Sequence, residues 1–566
     1  MARRIRWQMI IAACSSVLVV LLLGNLALST MVSRPRAGGT YVEALPGAPA
    51  QVIPLLNDPL NDPVGRDLGA LLFEGLTRIG PDGSPVPALA EQIDVDQGGE
   101  VYLFRLRRDV VWHDGEPFDA DDAIFTLNTI QDARFTGDPA LANLWRGVLV
   151  DRIDAFTIRC TLTSPYAPFL DAARVPVLPA HLLAGVAIEQ WPESFFARQP
   201  VGTGPYRLVE LTTDHALLEA NPDYFGGAPF IEQLDLRFID TPQAAFSLLT
   251  RHEAHALGLR ASPDFNQVML PQTFRRIPVP LDEYAVLTFN MRQPPLDLLE
   301  LRQALAYGLE KDTLIERVAQ GIAIRLDTPI LPGWFAPEPG EDPPTSLWYP
   351  YDPVTAGGIL DRLGYEATPG GSRARNGEPL VLPLLTDHDP LRLAAAQEVA
   401  RQWANLGIVV EVQPLDREAF YQRLQSHDFV LAIHAWARLG ADPDGFELWH
   451  SSQAESGLNY AGLRDEFLDR MLTEGRMELD SATRRQISAS FQDRWVELVP
   501  SIILYQPLYT FAASNELGGM GFEAPESASN LLLVGGRRPL PPGVRLVYRA
   551  FPRDSGKCAI GCSSGK

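Results

Sequence analysis

An uncharged run of 27 residues, Trp7 to Ser33, constrains this chain more than any other feature, because it exceeds the roughly 20 apolar residues that span a hydrocarbon core. Arg3, Arg4 and Arg6 precede the run, and Arg34 and Arg36 follow it. Three arginines and the chain start on one side favour a cytoplasmic N-terminus and a body on the outer face. Three fates remain open for residues 1–33. They can stay as a signal anchor, be cleaved as a signal peptide beside the small residues Ala27-Leu28-Ser29, or carry a lipid at Cys14 in Ile11-Ala12-Ala13-Cys14. The anchor suits the length best, since only Trp7 to Ala13 would stand ahead of a lipidated cysteine. Residues 34–40, with Pro35, Gly38 and Gly39, read as a linker to the body.

The chain has 566 residues, more than one hydrophobic core serves, since single cores stop growing at about 250–300 residues. Two or three packed lobes are therefore expected. The formal net charge is −22, and the first 36 residues hold five arginines and no acid, which leaves −27 for the remainder. A surface of that sign repels phosphate backbones and argues against nucleic acid as a partner. Four cysteines make no disulfide framework. Cys160 stands in an alternating run and reads as a strand residue, while Cys558 and Cys562 sit in a Gly-, Ser- and Lys-rich end, residues 549–566, that reads as a disordered tail.

Beyond the linker, strand and helix signals alternate. Tyr102 to Leu106 has period two, Asp114-Gly115 marks a turn, and Asp119 stands where an N-cap belongs ahead of a helix over 123–130. Tyr206 to Leu211 and Leu234 to Phe238 read as strands, and Pro242 opens a helix. Residues 300–318 and 391–406 carry apolar positions at helical spacing, the second stretch stopped by Gly407 and followed by a strand from Ile408 to Val412. The Pro-rich stretch 329–353 reads as a long loop. The alternation implies an α/β body.

Several sequences imitate catalytic or metal motifs. His252-Glu253-Ala254-His255 is one residue short of the zinc-protease helix, and the C-terminal Gly561 to Lys566 is one short of a phosphate loop with no helix to follow. Asp114, Asp119, Asp121 and Asp122 resemble a cation cluster, but turn and capping chemistry accounts for them. No nucleophile elbow occurs and the nine histidines do not gather at ligand spacing. No metal or cofactor is expected, and the chain is expected not to be an enzyme.

A series of segments in order along the chain resembles the family 5 extracellular solute-binding proteins, the dipeptide-, oligopeptide- and nickel-binding components of ABC importers. They are Val111-Trp112-His113-Asp114-Gly115-Glu116-Pro117-Phe118; Pro200-Val201-Gly202-Thr203-Gly204-Pro205-Tyr206; Asn221-Pro222-Asp223-Tyr224-Phe225; Leu287-Thr288-Phe289-Asn290 with Leu301 to Tyr307; and Tyr351-Asp352-Pro353 with Gly364-Tyr365. The resemblance covers about residues 41–545. It implies a two-lobed clamp of the periplasmic-binding-protein type (class II, cluster C) with an extra subdomain. Residues 41–80, 196–286 and 500–548 would form lobe I, residues 81–195 the accessory subdomain and residues 287–499 lobe II. It implies capture of a peptide-like solute by hinge closure, and delivery, as a monomer, to ABC permease transmembrane subunits served by cytoplasmic ATPase subunits. An anchored sensor and an extracytoplasmic hydrolase are the competing classes.

Peptide-binding members hold the ligand's α-amine with a carboxylate on a segment of Trp followed by Asp-Pro-Asp. Trp436 and Asp442-Pro443-Asp444 match it, so the resemblance nominates Asp442 first and Asp444 second. Trp436, Trp449 and Tyr460 would supply flat walls with a polar edge. Asn459 matches a family position, and Arg438 would counter a ligand carboxylate.

Overall fold

The computed structural model describes residues 38–517, except 58–61, 81–83, 97, 261–268, 332–348, 438–441 and 443. The run Trp7–Ser33, Cys14, Arg438 and the tail with Cys558 and Cys562 lie outside the described residues. Among the described residues no helix is long and apolar enough to cross a membrane.

Twelve strands form one hydrogen-bonded network built around the long strand Ser501–Ser514. Its second half pairs with Ala256–Arg260 and Phe274–Pro280. Thr40–Pro46 then runs parallel to both Ala256–Arg260 and Gln233–Ile239, and His215–Ala220 and Tyr206–Leu211 complete lobe I. Its first half pairs with Glu283–Phe289 and Ala323–Arg325. Leu431–Ala437, Val381–Asp387 and Val409–Leu415 follow outward, the last three mutually parallel, and make lobe II. The chain thus passes between lobes in two places, at Leu281-Asp282 and within Ser501–Ser514. Strand pairing gives Glu283 to Val286 and Ser501 to Gln506 to lobe II, so the crossings fall a few residues away from the expected boundaries at 286/287 and 499/500. The reason is physical: a continuous strand can change sheets mid-length, and sequence periodicity does not mark that point. At the crossing, Leu281 N–H donates to Pro507 O at 3.0 Å, and the Gln506 amide donates to Leu281 O at 2.8 Å.

The accessory subdomain carries a four-stranded antiparallel sheet, Ala90–Val95, Val101–Leu106, Thr157–Leu162 and Val148–Asp154. Cys160 is buried in that sheet, and burial pushes its thiol up to about 12. The helix Ala120–Gln131 begins in a capping box, Asp119 taking the Asp121 N–H and Asp122 the Asp119 N–H. Asp114 faces His181, and Asp121 pairs with Arg152. Phe104, Phe169 and Trp145 of this subdomain share one buried cluster with Tyr41, Tyr206 and Leu218 of lobe I, so subdomain and lobe pack as one body. Lobe II has its own core around Leu287, Phe289, Leu384 and Trp403.

The stretch 300–318 is two helices, Leu299–Tyr307 and Lys311–Ala319, because Gly308 caps the first. Residues 390–404 form one helix stopped before Gly407, which takes φ +79°. His252 adopts φ +57° after its helix, while His255 Nδ1 accepts the Val42 N–H at 3.0 Å, so these histidines serve the chain. Pro353 starts the helix Pro353–Arg362, which ends the Pro-rich stretch.

Candidate functional site

Parallel strands leave their carboxyl ends on one side of a sheet, and open α/β sheets bind ligands there. In lobe I, Arg260 lies opposite Tyr509, and Pro46 and Ile239 are level with each other, so all three parallel strands end toward the crossing. In lobe II, Ala437 lies opposite Glu283, the first residue past the crossing, and Asp387 is level with Leu415. The carboxyl ends of both parallel sets therefore converge on the hinge. A ligand held there touches both lobes.

The lobe II edge is aromatic and charged. Trp436 and Tyr460 stack at 5.1 Å and 18°, and the His434 ring stands edge-on to both. Burial drives His434 down to about 3, so it is a neutral imidazole; Nε2 meets Thr288 Oγ1 at 2.9 Å. Asp387 ends its strand in a two-point pair with Arg392, at 2.6 and 2.9 Å, on the first turn of the helix that Asp389 caps. Burial opposes the Asp387 charge, but the Arg392 bonds and charge outweigh it and hold the carboxyl below its ordinary value. Tyr505 crosses at this level, fully buried, its hydroxyl without a hydrogen-bond partner among the described residues. Burial raises it, and Asp389, Arg392, Glu283 and Asp387 are the charges it feels. Tyr421 completes the edge under the Arg417 guanidinium, 5.9 Å from its ring centre. On the lobe I side the Tyr509 ring lies across Gly258, where a Cβ would come within 1.5 Å of the phenolic oxygen.

The residues nominated from sequence divide into two groups. Trp436 and Tyr460 stand together at the cleft edge. Asp442 spends both carboxylate oxygens on Arg484, each at 2.8 Å, and both side chains are 6% exposed. Burial pushes Asp442 above the usual aspartate range against those bonds. Asp444 pairs with Arg476 at 2.8 Å and accepts the Phe446 N–H. Trp449 is packed edge-on against Trp495, 5.1 Å between centres. Asn459, fully buried, takes the Leu463 N–H and donates to Leu463 and His450 carbonyls at 2.9 and 3.1 Å. These four side chains are committed to lobe II itself. Asp387, Arg392, Tyr421, His434 and Tyr505 were not nominated; the strand Val381–Asp387 followed by the cap Asp389-Pro390 was the available signal.

Residues 84–457 match the family described as bacterial extracellular solute-binding proteins, family 5 middle. The chain belongs to this family. Oligopeptide-binding protein AppA of Bacillus subtilis is 24% identical over 532 residues, covering 90% of this chain and 93% of that protein. Di/tripeptide-binding protein 2 of Pseudomonas aeruginosa is 28% identical over 485 residues, covering 79% and 86%. Among solved structures, NikA from Brucella suis in complex with Fe(III)-EDTA superposes with a TM-score of 0.73 at 24% identity, covering 88% of this chain and 98% of that one. As a member the chain is a solute-binding protein with the two-lobed α/β fold of the periplasmic peptide binders. The hinge side of lobe II thus carries stacked aromatic faces, the Asp387–Arg392 ion pair and the Tyr505 hydroxyl.

Proposed function

We propose that this protein is the extracytoplasmic binding component of an ABC importer, capturing a peptide-like solute between its lobes and presenting it to the permease subunits, without catalysis. The observation that supports this most is the convergence of both sets of strand carboxyl ends on a hinge edged by Trp436, Tyr460, Asp387, Arg392 and Tyr505. Flat aromatic walls accept varied side chains, and polar groups at strand ends satisfy an extended backbone, which suits loose reading of peptide sequence. Asp442, Asp444, Trp449 and Asn459 shape the loop that follows Trp436, so their contribution to binding is through its position. The relatives' names supply the peptide class, and the Fe(III)-EDTA complex of the Brucella protein supplies the alternative of a chelated metal.

A thermal-shift screen of the purified body with di-, tri- and longer peptides, oligosaccharides and metal chelates tests this reading. A bound solute at a hundred times its Kd raises stability by about 2.7 kcal/mol, a shift of a few degrees. Stabilisation by peptides alone is the expected result. Stabilisation confined to chelates transfers the site to a metal complex, and no response to any solute contradicts the importer role.

A further inference from the structure

The accessory subdomain shares its core with lobe I, yet it also touches the helical hairpin of lobe II, Glu466–Met477 and Ser481–Leu498. The Arg476 guanidinium lies 4.2 Å from the Phe446 ring centre and 5.3 Å from that of Tyr166, so one cation bridges a ring of lobe II and a ring of the subdomain. Its Nε donates to Asp444 at 2.8 Å and its Nη2 to Glu447 at 3.2 Å. Its carbonyl accepts the Ala167 N–H of the subdomain at 2.7 Å. Three residues on, Leu479 rests on Gly99, with 2.7 Å between its Cδ1 and the place a Cβ would occupy. Beneath lies the Asp442–Arg484 pair, which ties the loop carrying Asp444 to the hairpin carrying Arg476. This contact is remote in sequence from both crossings of the hinge.

We propose that Arg476 is a latch between the accessory subdomain and lobe II, made when the clamp shuts and released when it opens, so that the subdomain acts as a second jaw. The reading rests on the chain being a hinged clamp. The chemistry suits a contact that must break: a part-exposed cation against two rings, a half-buried carboxylate and an exposed one can shift an equilibrium between closed and open without locking it. A buried apolar seam of similar area would hold more firmly and be insensitive to salt.

The test uses the full chain with no solute added, so it is independent of the ligand screen. Hydrogen–deuterium exchange follows the segments 164–170 and 476–480, and small-angle scattering follows the radius of gyration. Arg476→Ala is expected to speed exchange of both segments at least tenfold and to enlarge the radius of gyration, while the strand Val101–Leu106 stays protected. Arg476→Lys keeps the charge, loses the planar stack and falls between. If Arg476→Ala does not fold, Tyr166→Leu removes the ring from the other side and is expected to give the same two changes. Unchanged exchange or an unchanged radius in the folded variant overturns the latch. A chain that opens on Arg476→Ala but answers no solute in the thermal screen keeps the latch and loses the importer role.

Discussion

Asp387 and Asp442 are the same group in the same pairing, an aspartate gripped at two points by an arginine, yet they occupy different parts of lobe II. Asp442 and Arg484 are equally sealed and join a loop to a helix 42 positions away. Asp387 and Arg392 are neighbours at a strand end, Arg392 is 14% exposed, and Asp389 stands 3.5 Å away as a second carboxylate. One pair lies against the accessory subdomain, close enough that Asp171 and Tyr102 feel its charges. The other ends a strand on the hinge side of its lobe. The difference teaches that the same ion pair takes its character from its place in the fold: one joins a loop to a distant helix, the other closes a strand end onto the helix that follows it.

Substitution separates the two pairs most strongly at Arg484. Arg484→Met leaves a buried carboxylate uncompensated and is expected to cost about 3–5 kcal/mol, read by urea unfolding. A loss under about 1 kcal/mol would mean that Asp442 is free to serve a ligand. Asp387→Asn keeps shape and leaves Arg392 its second partner, so the expected loss is about 1.5–3 kcal/mol, that of a hydrogen bond to a charged group. An equal or larger loss than at Arg484 would erase the distinction. His434 gives a smaller, pH-dependent effect. Its folded value is depressed to about 3 against an unfolded value near 6.5, so the unfolded chain binds more protons and stability falls as pH falls below 6.5. Between pH 6.5 and 5.5 that loss grows by roughly 1 kcal/mol, and His434→Gln is expected to flatten the unfolding free energy over this interval by that amount. An unaltered slope would place the imidazole outside the buried edge of the cleft.

Much of the fold is legible in the residues themselves. The Asp119 cap, the Asp114-Gly115 turn and the Gly407 stop are local chemistry, and local chemistry is what a sequence writes directly. The ordered motifs carried the family, since each fixes a turn or a helix start. The site was less legible. Trp436 and Tyr460 are read from sequence as flat walls beside one segment, and the structure stacks them on each other at the lobe II edge. Asp442 is nominated from its match to Trp followed by Asp-Pro-Asp, and its pair with Arg484, 42 residues downstream, has nothing in the intervening chain to announce it. Asp387 carries no such motif: it ends a strand in ordinary fashion, and only sheet order brings it beside the hinge. The crossings at Leu281-Asp282 and within Ser501–Ser514 were displaced because a strand that changes sheets has no break in its pattern.

The central claim is that solute binds where both sets of strand ends meet. Titration calorimetry of the wild type and Trp436→Ala with a peptide that stabilises the wild type tests it most directly, because this ring is half-buried and its stack on Tyr460 adds only about 0.5–1.5 kcal/mol to folding. The expected result is saturation at one peptide per chain and at least a tenfold weaker Kd in the folded variant. The same affinity in both proteins would contradict it and place the solute elsewhere.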